Sequence, residues 1–534
     1  MRPQALPAVL LTALLSAAAL TGCAADASDQ STVSADGRYI NGAVFRLGLA
    51  TDPGSLDPHS SGSSALFQLS ALAYDSLVSI NAAGQIEPQL AQSWQVDGDS
   101  VTLSLHSGVT CSDGAALTPS TVVQNIDLIE DPANLSPYLG SFLPAGLTAT
   151  ADDAAGTVTL RLSQPSPFLL QGLSQVPMIC QAGLDDRSKL TAGAIGSGPF
   201  RLREAVPNDH YVYDLNRDYA WGPNGLTGQA DGLPASVEIR VITNETTAAN
   251  LLLSGELDAT LVMGPDGARL TAAGVGSKTM PGLWGEQWYN QNPGHPTSDR
   301  LVRQGLTQAV DWSEAQRVLT SDTGSDATQL TVLPPAACTY DALTGQLPKH
   351  DPAAAAASLD AAGWLAGPDG QRAKDGQPLV LTFLYDAALG AGGAAAAELV
   401  AQQWIALGVG VEFTQLDNTL MLDALFGTGA WDIAWEPLNV SNPDQVVGFL
   451  SGPGAPEGTN FAGIHNSAYD EAVARAMTMN GSESCPAWAE GETALMADAA
   501  VVPFANSIVR MFVRGVDFSF LGLIQPATIR MLAG

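Results

Sequence analysis

Basic residues are scarce in this sequence of 534 residues. Lysine and arginine together number 22, whereas aspartate and glutamate number 54, and the formal net charge is −32. Proteins that bind the phosphate backbone of nucleic acids need basic patches, and so do proteins that dock electrostatically on anionic lipid. The composition therefore argues against nucleic acid as a partner and against a membrane contact based on charge.

Common catalytic and metal-binding motifs are also missing. The sequence contains no Gly-x-Ser-x-Gly elbow, no His-Glu-x-x-His motif and no Walker loop. Its six histidines are scattered, and no cysteine has a second cysteine two to four residues away. We therefore expect no catalytic residues, no metal site and no cofactor.

Long apolar runs are absent except near the N-terminus. Arg2 is the only charge before Cys23, and residues 5–20 are almost wholly apolar. This layout is typical of a secretory signal. The exit reads "LTGC" and resembles the lipobox of bacterial lipoproteins, in which the cysteine is lipidated and becomes the new N-terminus. An ordinary secretory signal with an incidental cysteine is the alternative.

Residues 1–22 are accordingly predicted to be a lipoprotein signal peptide. Residues 23–42 are small and polar without an apolar period, which predicts a flexible tether. The remaining chain of about 500 residues exceeds what a single core usually supports, so two or three domains are expected. The protein should lie outside the cytoplasm, anchored by lipid to the outer face of the cytoplasmic membrane.

The five cysteines are an odd number, and the lipobox accounts for one of them. Without Cys23, the chain has Cys111, Cys180, Cys338 and Cys485. Disulfides persist in exported proteins, and four cysteines allow three pairings. Four buried free thiols are the alternative.

Strand and helix signals alternate along the rest of the chain, which predicts an α/β fold. Residues 93–109 alternate around an Asp-Gly turn and predict a hairpin. Thr118, Asp311 and Asp351 are expected N-caps of helices. Residues 379–416 read as a strand, a helix and a second strand.

The stretch "YDSLVSINAAGQIEPQLAQSWQVDGDSVTLSLHSGVTCSDGAALTPSTVV" resembles the signature of extracellular solute-binding proteins of the peptide/nickel class (family 5), which serve ABC importers. Its matching elements are Tyr74 with Leu77, Gly84, the segment 88–94 and the segment 113–122. The stretches "IGSGPFRL", "LLLSGELDAT" and "DRLVRQGLTQAVD" match further elements in order. The resemblance extends over residues 43–530.

This resemblance implies a two-lobed periplasmic-binding-protein-like fold with a subdomain inserted in the first lobe. The implied ranges are 43–80, 191–283 and 503–534 for the first lobe, 81–190 for the insert and 284–502 for the second lobe. Both Cys111 and Cys180 then lie in the insert, and Cys338 and Cys485 lie in the second lobe. A disulfide joining the lobes would lock the hinge, so the pairs Cys111–Cys180 and Cys338–Cys485 are expected.

The family further implies a monomeric substrate-binding component that captures a peptide or peptide-like solute by hinge closure. Its partners would be that ligand and the membrane permease subunits of an importer. A non-peptide solute, such as an oligosaccharide or a chelated metal, is one alternative. A secreted lipoprotein hydrolase and a lipid-anchored structural or adhesive protein are the others.

The resemblance places the ligand near aromatic and amide side chains of three stretches. The candidates are Trp284, Trp288, Tyr289 and Asn290 in "GLWGEQWYNQNPGHP", Trp435, Glu436, Asn439, Ser441 and Asn442 in "WDIAWEPLNVSNPDQ", and Asn460 and Phe461 in "TNFAGIHN". The loop 55–63 would add polar contacts from the first lobe. The alternative is that the aromatics pack the hinge and that the last stretch and the loop 55–63 are ordinary turns.

The second of these stretches departs from the family. In its peptide binders an aspartate pairs with the ligand's ammonium group, and by spacing that position falls near Ser441. Glu436 or Asp444 would have to replace it, because a buried ammonium without a counter-charge is costly. The departure leaves room for N-blocked, cyclic or non-peptide ligands.

Replacing Cys23 with alanine is expected to release the protein into the medium or to leave it unprocessed, because the lipid is attached through that thiol. Detergent-phase partitioning of whole-cell extracts measures the effect. Unchanged partitioning of the Cys23→Ala protein would show that the lipobox interpretation is wrong.

Overall fold

A computed structural model describes residues 32–33, 37–134, 136–163 and 165–533. A sheet of ten strands connects the two halves of the molecule. Numbered along the chain, its strands are β1 Val44–Leu49, β2 Phe200–Val206, β3 His210–Leu215, β4 Ser236–Val241, β5 Ala259–Leu261, β6 Gly276–Tyr289, β7 Val380–Asp386, β8 Gly410–Leu416, β9 Ile433–Trp435 and β10 Val501–Val513. Their order in the sheet is β2-β3-β4-β1-β5-β10-β6-β9-β7-β8.

Two long strands in the middle of this sheet, β6 and β10, join its two halves, and we call them the crossing strands. They pair antiparallel from Gly276 opposite Val513 to Trp288 opposite Val501. Strand β10 borders β5, and β5, β1 and β4 are parallel. Strand β6 borders β9, and β9, β7 and β8 are parallel. The result is the expected α/β fold with two lobes.

The first lobe is built on the strands around β1. Phe45 and Leu47 of β1 and Val237 and Ile239 of β4 are buried on alternate positions, because successive side chains of a strand point to opposite faces. The helices of this lobe are Ser64–Ala73, Glu245–Ser254 and Asp266–Ala272.

The insert has its own sheet and core. Its four strands are antiparallel in the order Ala91–Asp97, Ser100–Leu105, Thr157–Arg161 and Thr148–Asp152. The first two form the predicted hairpin. Its helices are Pro119–Glu130, Leu169–Leu173 and Gln181–Asp185. Val122 and Ile126 of the first helix are fully buried with Leu103 and Leu160 of the sheet.

The second lobe places helices around β7, β8 and β9. Strands β7 and β8 are parallel and are joined by a helix, so the predicted β-α-β unit is confirmed. The helices of this lobe are Arg300–Gln308, Trp312–Thr320, Pro352–Ala361, Gly390–Ala406, Asn418–Leu422, Val447–Leu450, Ser467–Ala476 and Cys485–Ala497.

All three predicted N-caps are confirmed. The side chains of Thr118, Asp311 and Asp351 each accept a hydrogen bond from a backbone N–H in the first turn of their helices. The remaining short strands are Thr32–Val33, Ile40–Asn41, Val78–Ile80, Ile86–Pro88, Leu365–Ala366, Arg372–Lys374, Gln377–Pro378, Val516–Asp517, Phe520–Leu521, Leu523–Ile524 and Arg530–Met531.

The predicted signal peptide and Cys23 lie outside the described residues. At the C-terminal end of the predicted tether, residues 38–41 contact the first lobe. The side chain of Asn41 binds Asp231 and the N–H of Gly232, and Ala533 N donates to Arg38 O at 3.0 Å. Within the described ranges, no helix has the length and hydropathy needed to cross a membrane.

Both expected disulfides are present. Cys111 is bonded to Cys180 with a Cα–Cα distance of 6.2 Å, and Cys338 is bonded to Cys485 with a Cα–Cα distance of 5.4 Å. Neither bond connects the two sides of the crossing strands. The lobes therefore remain covalently free to rotate about those strands.

Replacing Cys111 and Cys180 together with alanine is expected to lower the free energy of unfolding by about 2–4 kcal/mol, because the bond restricts the unfolded chain. Urea denaturation measures the change, and the reduced wild-type protein is the control. An unchanged unfolding midpoint would contradict the expectation. So would a non-reducing peptide map that links Cys111 to Cys338 or Cys485.

Candidate functional site

Three of the candidate residues on the first crossing strand and just after it are packed inside the second lobe. Trp288, Tyr289 and Asn290 are buried, and their polar atoms bind protein groups. Trp288 Nε1 donates to Glu436 O at 2.9 Å, and Asn290 Nδ2 donates to Trp431 O at 2.9 Å. Trp288 therefore attaches β6 to the loop after β9, and Asn290 attaches the end of β6 to the segment just before β9.

Trp284 and Asn439 lie where the crossing strands change register. The pairing of β6 with β10 shifts between Leu283 and Gly285. Asn439 binds both backbone groups of Leu283: its Oδ1 accepts from Leu283 N at 2.8 Å, and its Nδ2 donates to Leu283 O at 2.9 Å. Trp284 is partly exposed and packs against the second-lobe core. Asn439 thus holds the irregular part of the crossing strand.

Asn460 and Phe461 also lie in the interior. The Asn460 side chain donates to Gly452 O at 3.0 Å and accepts from Ile464 N at 2.9 Å, so it closes its own loop. The Phe461 ring lies 4.9 Å from the Trp288 ring, measured between centroids. Both candidates stabilise the wall of the second lobe behind the cleft.

The loop after β9 reaches the insert across the cleft. Trp435 is buried, whereas Ser441 is partly exposed, and Ser441 N donates to Gln445 Oε1 at 3.1 Å. Asn442 N donates to the same oxygen at 2.9 Å. Gln445 Nε2 donates in turn to Ser141 O of the insert at 2.9 Å. The segment around Ser441 therefore lies at the boundary between the lobes.

A second contact between the lobes is apolar. Phe168 of the insert is 2% exposed and packs with Trp488, Ala476 and Cys338 of the second lobe. The ring centroids of Phe168 and Trp488 are 6.3 Å apart. Next to this contact, Gly481 N donates to Pro167 O at 2.9 Å. The two sides of the cleft are therefore in contact away from the crossing strands.

The candidate loop 55–63 of the first lobe is bound to the insert side of the cleft. Arg187 holds Asp57 with two hydrogen bonds, of 2.7 Å from Nε and 2.6 Å from one terminal nitrogen. His59 is buried, its Nε2 lies 2.8 Å from Pro177 O, and burial lowers its pKa to about 4. His59 is therefore neutral at pH 7 and brings no charge to the cleft.

Three carboxyl groups form a row across the second-lobe sheet. Trp435 of β9 is paired with β6 on one side and with β7 on the other. One position further toward the first lobe lie Glu286 of β6, Glu436 just after β9 and Asp386 of β7. Because successive side chains of a strand alternate between faces, all three lie on the face opposite Trp435. We call these three residues the carboxyl row.

Burial raises the pKa of members of this row. It raises the pKa of Glu286 well above its ordinary value and, together with the neighbouring Asp386, raises that of Glu436 to about 8. Glu286 accepts a hydrogen bond from Leu438 N at 2.7 Å. Burial raises the pKa of the nearby Asp444 to about 7. Burial thus disfavours the charged form of both glutamates, and Glu436 is mostly protonated at pH 7.

The row is a sign of burial rather than of a metal site. Among the residues that the structure describes, no group of three or more histidine, cysteine, aspartate or glutamate side chains is arranged to hold a metal ion. Glu436 was a candidate ligand-binding residue from the sequence, whereas Glu286 and Asp386 were not. Their common row depends on strand register, which local sequence patterns do not specify.

Two α/β lobes joined by a pair of crossing strands are the architecture of a solute-binding protein. The family model for the "Middle" part of bacterial extracellular solute-binding proteins, family 5, matches residues 85–456. The chain belongs to this family. Its matched relatives are solute-binding proteins and not enzymes.

Relatives with described ligands share about a quarter of the residues. The probable deoxycholate-binding periplasmic protein YgiS of Escherichia coli is 27% identical over 345 residues, which are 59% of this chain and 62% of YgiS. The periplasmic oligopeptide-binding protein OppA of Salmonella typhimurium is 26% identical over 273 residues, 47% of each chain. The chain thus matches less than two thirds of the length of either relative.

A solved structure extends the likeness over nearly the whole chain. It is a substrate-binding protein from Microbacterium hydrocarbonoxydans complexed with 4-hydroxybenzoate hydrazide. Its TM-score is 0.69 at 25% identity, and the match covers 92% of this chain and 100% of that one. The predicted fold class and family are therefore confirmed.

Replacing Glu436 with glutamine is expected to stabilise the protein at pH 8 and to flatten its pH profile. The ordinary pKa of glutamate is 4.5, whereas that of Glu436 in the folded protein is about 8. Between these values the folded state binds more protons, so stability falls as the pH rises. The amide removes this loss, which we expect to be about 1–3 kcal/mol.

Urea denaturation between pH 5 and pH 8 measures this effect. Glu412→Gln is the matched control, because Glu412 is exposed on β8 of the same sheet. If the free energy of unfolding changes with pH in the same way in the wild-type and Glu436→Gln proteins, the conclusion that Glu436 is neutral in the folded protein is wrong.

Proposed function

We propose that this chain is the lipid-anchored substrate-binding component of an ABC importer, which captures a small solute between its lobes by hinge closure. The observation that carries the proposal is the pair of crossing strands β6 and β10. They are the covalent links between the sides of a cleft whose walls meet at Phe168 and Gln445. Rotation about two such strands is the motion by which hinged receptors enclose a ligand.

The anchor and the partners follow from this function. Cys23 would hold the receptor at the outer face of the cytoplasmic membrane, and the predicted tether would supply the reach. The permease subunits of the importer would bind the closed form, so a monomer suffices. No chemical step is required, and the solute leaves the receptor intact.

We infer a ligand without a free ammonium group. Ser441 offers a hydroxyl where peptide binders have a carboxylate. Glu436 and Asp444, the two substitutes, have pKa values raised by burial to about 8 and about 7. Glu436 is therefore largely neutral at pH 7, and Asp444 is about half charged. A peptide-like ligand with a blocked amino end fits this wall better than a free peptide.

A non-peptide solute is the second candidate. The relatives are named for a bile acid and for oligopeptides, so membership of the family does not determine the ligand. The similar protein with 4-hydroxybenzoate hydrazide is matched over its whole length and over 92% of this chain. A small neutral aromatic compound is thus compatible with this fold.

The proposal predicts that an intact solute co-purifies with the protein and compacts it when added back to ligand-free protein. Mass spectrometry identifies the solute, and small-angle scattering measures the radius of gyration. Phe168→Ala should weaken the compaction, because it removes the apolar contact between the insert and the second lobe. Leu365→Ala, at a highly exposed leucine of the second lobe, is the control.

Two results would contradict the proposal. One is recovery of the solute in a chemically altered form after incubation with the protein. The other is an unchanged radius of gyration at a solute concentration that saturates binding.

A further inference from the structure

A disulfide joins two segments of the second lobe at its contact with the insert. Residues 321–351, all of which the structure describes, contain no helix or strand apart from an isolated bridge at Ser325. We call these residues the irregular segment. The bond between Cys338 and Cys485 connects this segment to the first residue of the helix Cys485–Ala497.

The helix end of the bond lies beside two contacts with the insert. Gly481, four residues before Cys485, donates its N–H to Pro167 O at 2.9 Å. Trp488, three residues after Cys485, packs with Phe168 at a distance of 6.3 Å between ring centroids. Both contacts therefore depend on where the start of this helix lies.

The other end of the bond lies beside contacts of the irregular segment. Cys338 is 2% exposed and belongs to the apolar cluster between the insert and the second lobe. A Cβ added to Gly84 of the insert would lie 3.1 Å from Ala336 O. A Cβ added to Gly522 of the first lobe would lie 3.9 Å from Pro334 O. The irregular segment therefore approaches the other side of the molecule within four residues of Cys338.

Hydrogen bonds hold the irregular segment at other points. Glu492 of the helix accepts from Leu330 N at 3.1 Å and from the Tyr340 hydroxyl at 2.6 Å. Gln329, within the segment itself, binds Cys338 O and Tyr340 N. Because these hydrogen bonds do not involve the disulfide, we expect the segment to loosen around Cys338 when the bond is broken, and not to unfold.

The two disulfides of the protein differ in burial. Cys111 and Cys180 are 1% and 0% exposed and lie in the core of the insert, whereas Cys485 is partly exposed. Exposed disulfides are the ones that thiols reduce most readily. A reductant in solution should therefore react first with the bond between Cys338 and Cys485.

We propose that the Cys338–Cys485 disulfide is a redox-sensitive clamp on the contact between the second lobe and the insert. The intact bond holds the irregular segment and the start of the helix where they meet the insert, and its reduction by a dithiol loosens this contact. The consequence for solute capture rests on the proposed receptor function: the reduced receptor would hold its solute less tightly.

The reduction is a thiol–disulfide exchange. A thiolate of the dithiol attacks the sulfur of Cys485, forms a mixed disulfide and displaces Cys338 as a thiolate. The second thiol of the dithiol then attacks the mixed disulfide and releases Cys485. The dithiol loses two electrons and two protons and becomes a disulfide, and both cysteines end as thiols.

Hydrogen exchange at the Gly481 amide measures the contact, because this N–H is bound to Pro167 O. Dithiothreitol is the reductant. The protein is free of ligand, so the outcome does not depend on the receptor function. In the Cys111→Ala/Cys180→Ala protein only the bond of the second lobe remains to be reduced. Exchange should then become about threefold to tenfold faster, the range for the loss of one hydrogen bond.

The Cys338→Ala/Cys485→Ala protein is the matched control, because only the bond in the insert remains to be reduced. Its Gly481 amide should exchange rapidly before dithiothreitol is added, and the reductant should not change the rate further. Unchanged exchange on reduction of the Cys111→Ala/Cys180→Ala protein would overturn the proposal. An equal acceleration by dithiothreitol in the control would overturn it as well.

Phe168→Ala distinguishes a clamp from a general loss of stability. It removes the apolar contact, so it should also accelerate exchange at Gly481. If the bond acts through the same contact, Phe168→Ala and reduction together should accelerate exchange by less than the product of their separate effects. Effects that multiply would show that the bond stabilises the second lobe independently of this contact, which overturns the proposal.

Partial reduction of the wild-type protein tests which bond reacts first. Iodoacetamide alkylates the thiols as they form, and mass spectrometry identifies the modified cysteines. Cys338 and Cys485 should be alkylated before Cys111 and Cys180. Earlier alkylation of Cys111 and Cys180 would show that the bond of the second lobe is not the redox-sensitive one.

Discussion

The hydrogen-bonded pairing of β6 with β10 is the constraint on which the rest of the structure depends. These strands carry the sheet of the first lobe into that of the second, so any movement of one lobe must be absorbed within them. Their register shifts around Leu283 and Gly285, where an ordinary ladder is interrupted. Bulges bend a strand and increase its local twist. Because Asn439 binds both backbone groups of Leu283, the second lobe holds the position at which the bend occurs.

The same register produces the carboxyl row. Pairing β6 and β7 on the two sides of β9 places Glu286, Glu436 and Asp386 next to one another. An ionised carboxylate buried without a counter-charge costs several kcal/mol, whereas a protonated carboxyl with a hydrogen bond costs much less. The raised pKa values of Glu286 and Glu436 express this difference. Burial therefore lowers the negative charge that Glu286 and Glu436 bring to this wall, although the protein as a whole is strongly acidic.

The sequence predicted what depends on local chemistry and on the family pattern. Thr118, Asp311 and Asp351 are N-caps because a side-chain oxygen beside a free helix N–H satisfies it regardless of the rest of the fold. The two disulfides followed from the implied lobes. The burial of Trp288 and Asn460 did not follow, because aromatic and amide residues serve equally well in a core or in a ligand site.

The carboxyl row and the cavity lined by Phe67, Ser70, Tyr138 and Leu521 were not predicted for a different reason. Each joins residues that are far apart along the chain, and their proximity depends on tertiary packing. Phe67, Tyr138 and Leu521 belong to three separate segments, and no local period relates them. Ser70 lies in the helix Ser64–Ala73, and its lack of a hydrogen-bond partner is visible only when its neighbours are in place.

The contacts between the lobes limit how much of the closure energy a ligand must supply. Phe168 in its apolar site, Gly481 N on Pro167 O and Gln445 on Ser141 O are all made by the chain itself. They stabilise the arrangement of the lobes seen in this structure without any contribution from a solute. A ligand shifts such an equilibrium only by its difference in affinity for the two states. Under the proposed receptor function, the ligand therefore has to supply only the part of the closure energy that these contacts between the insert and the second lobe do not supply.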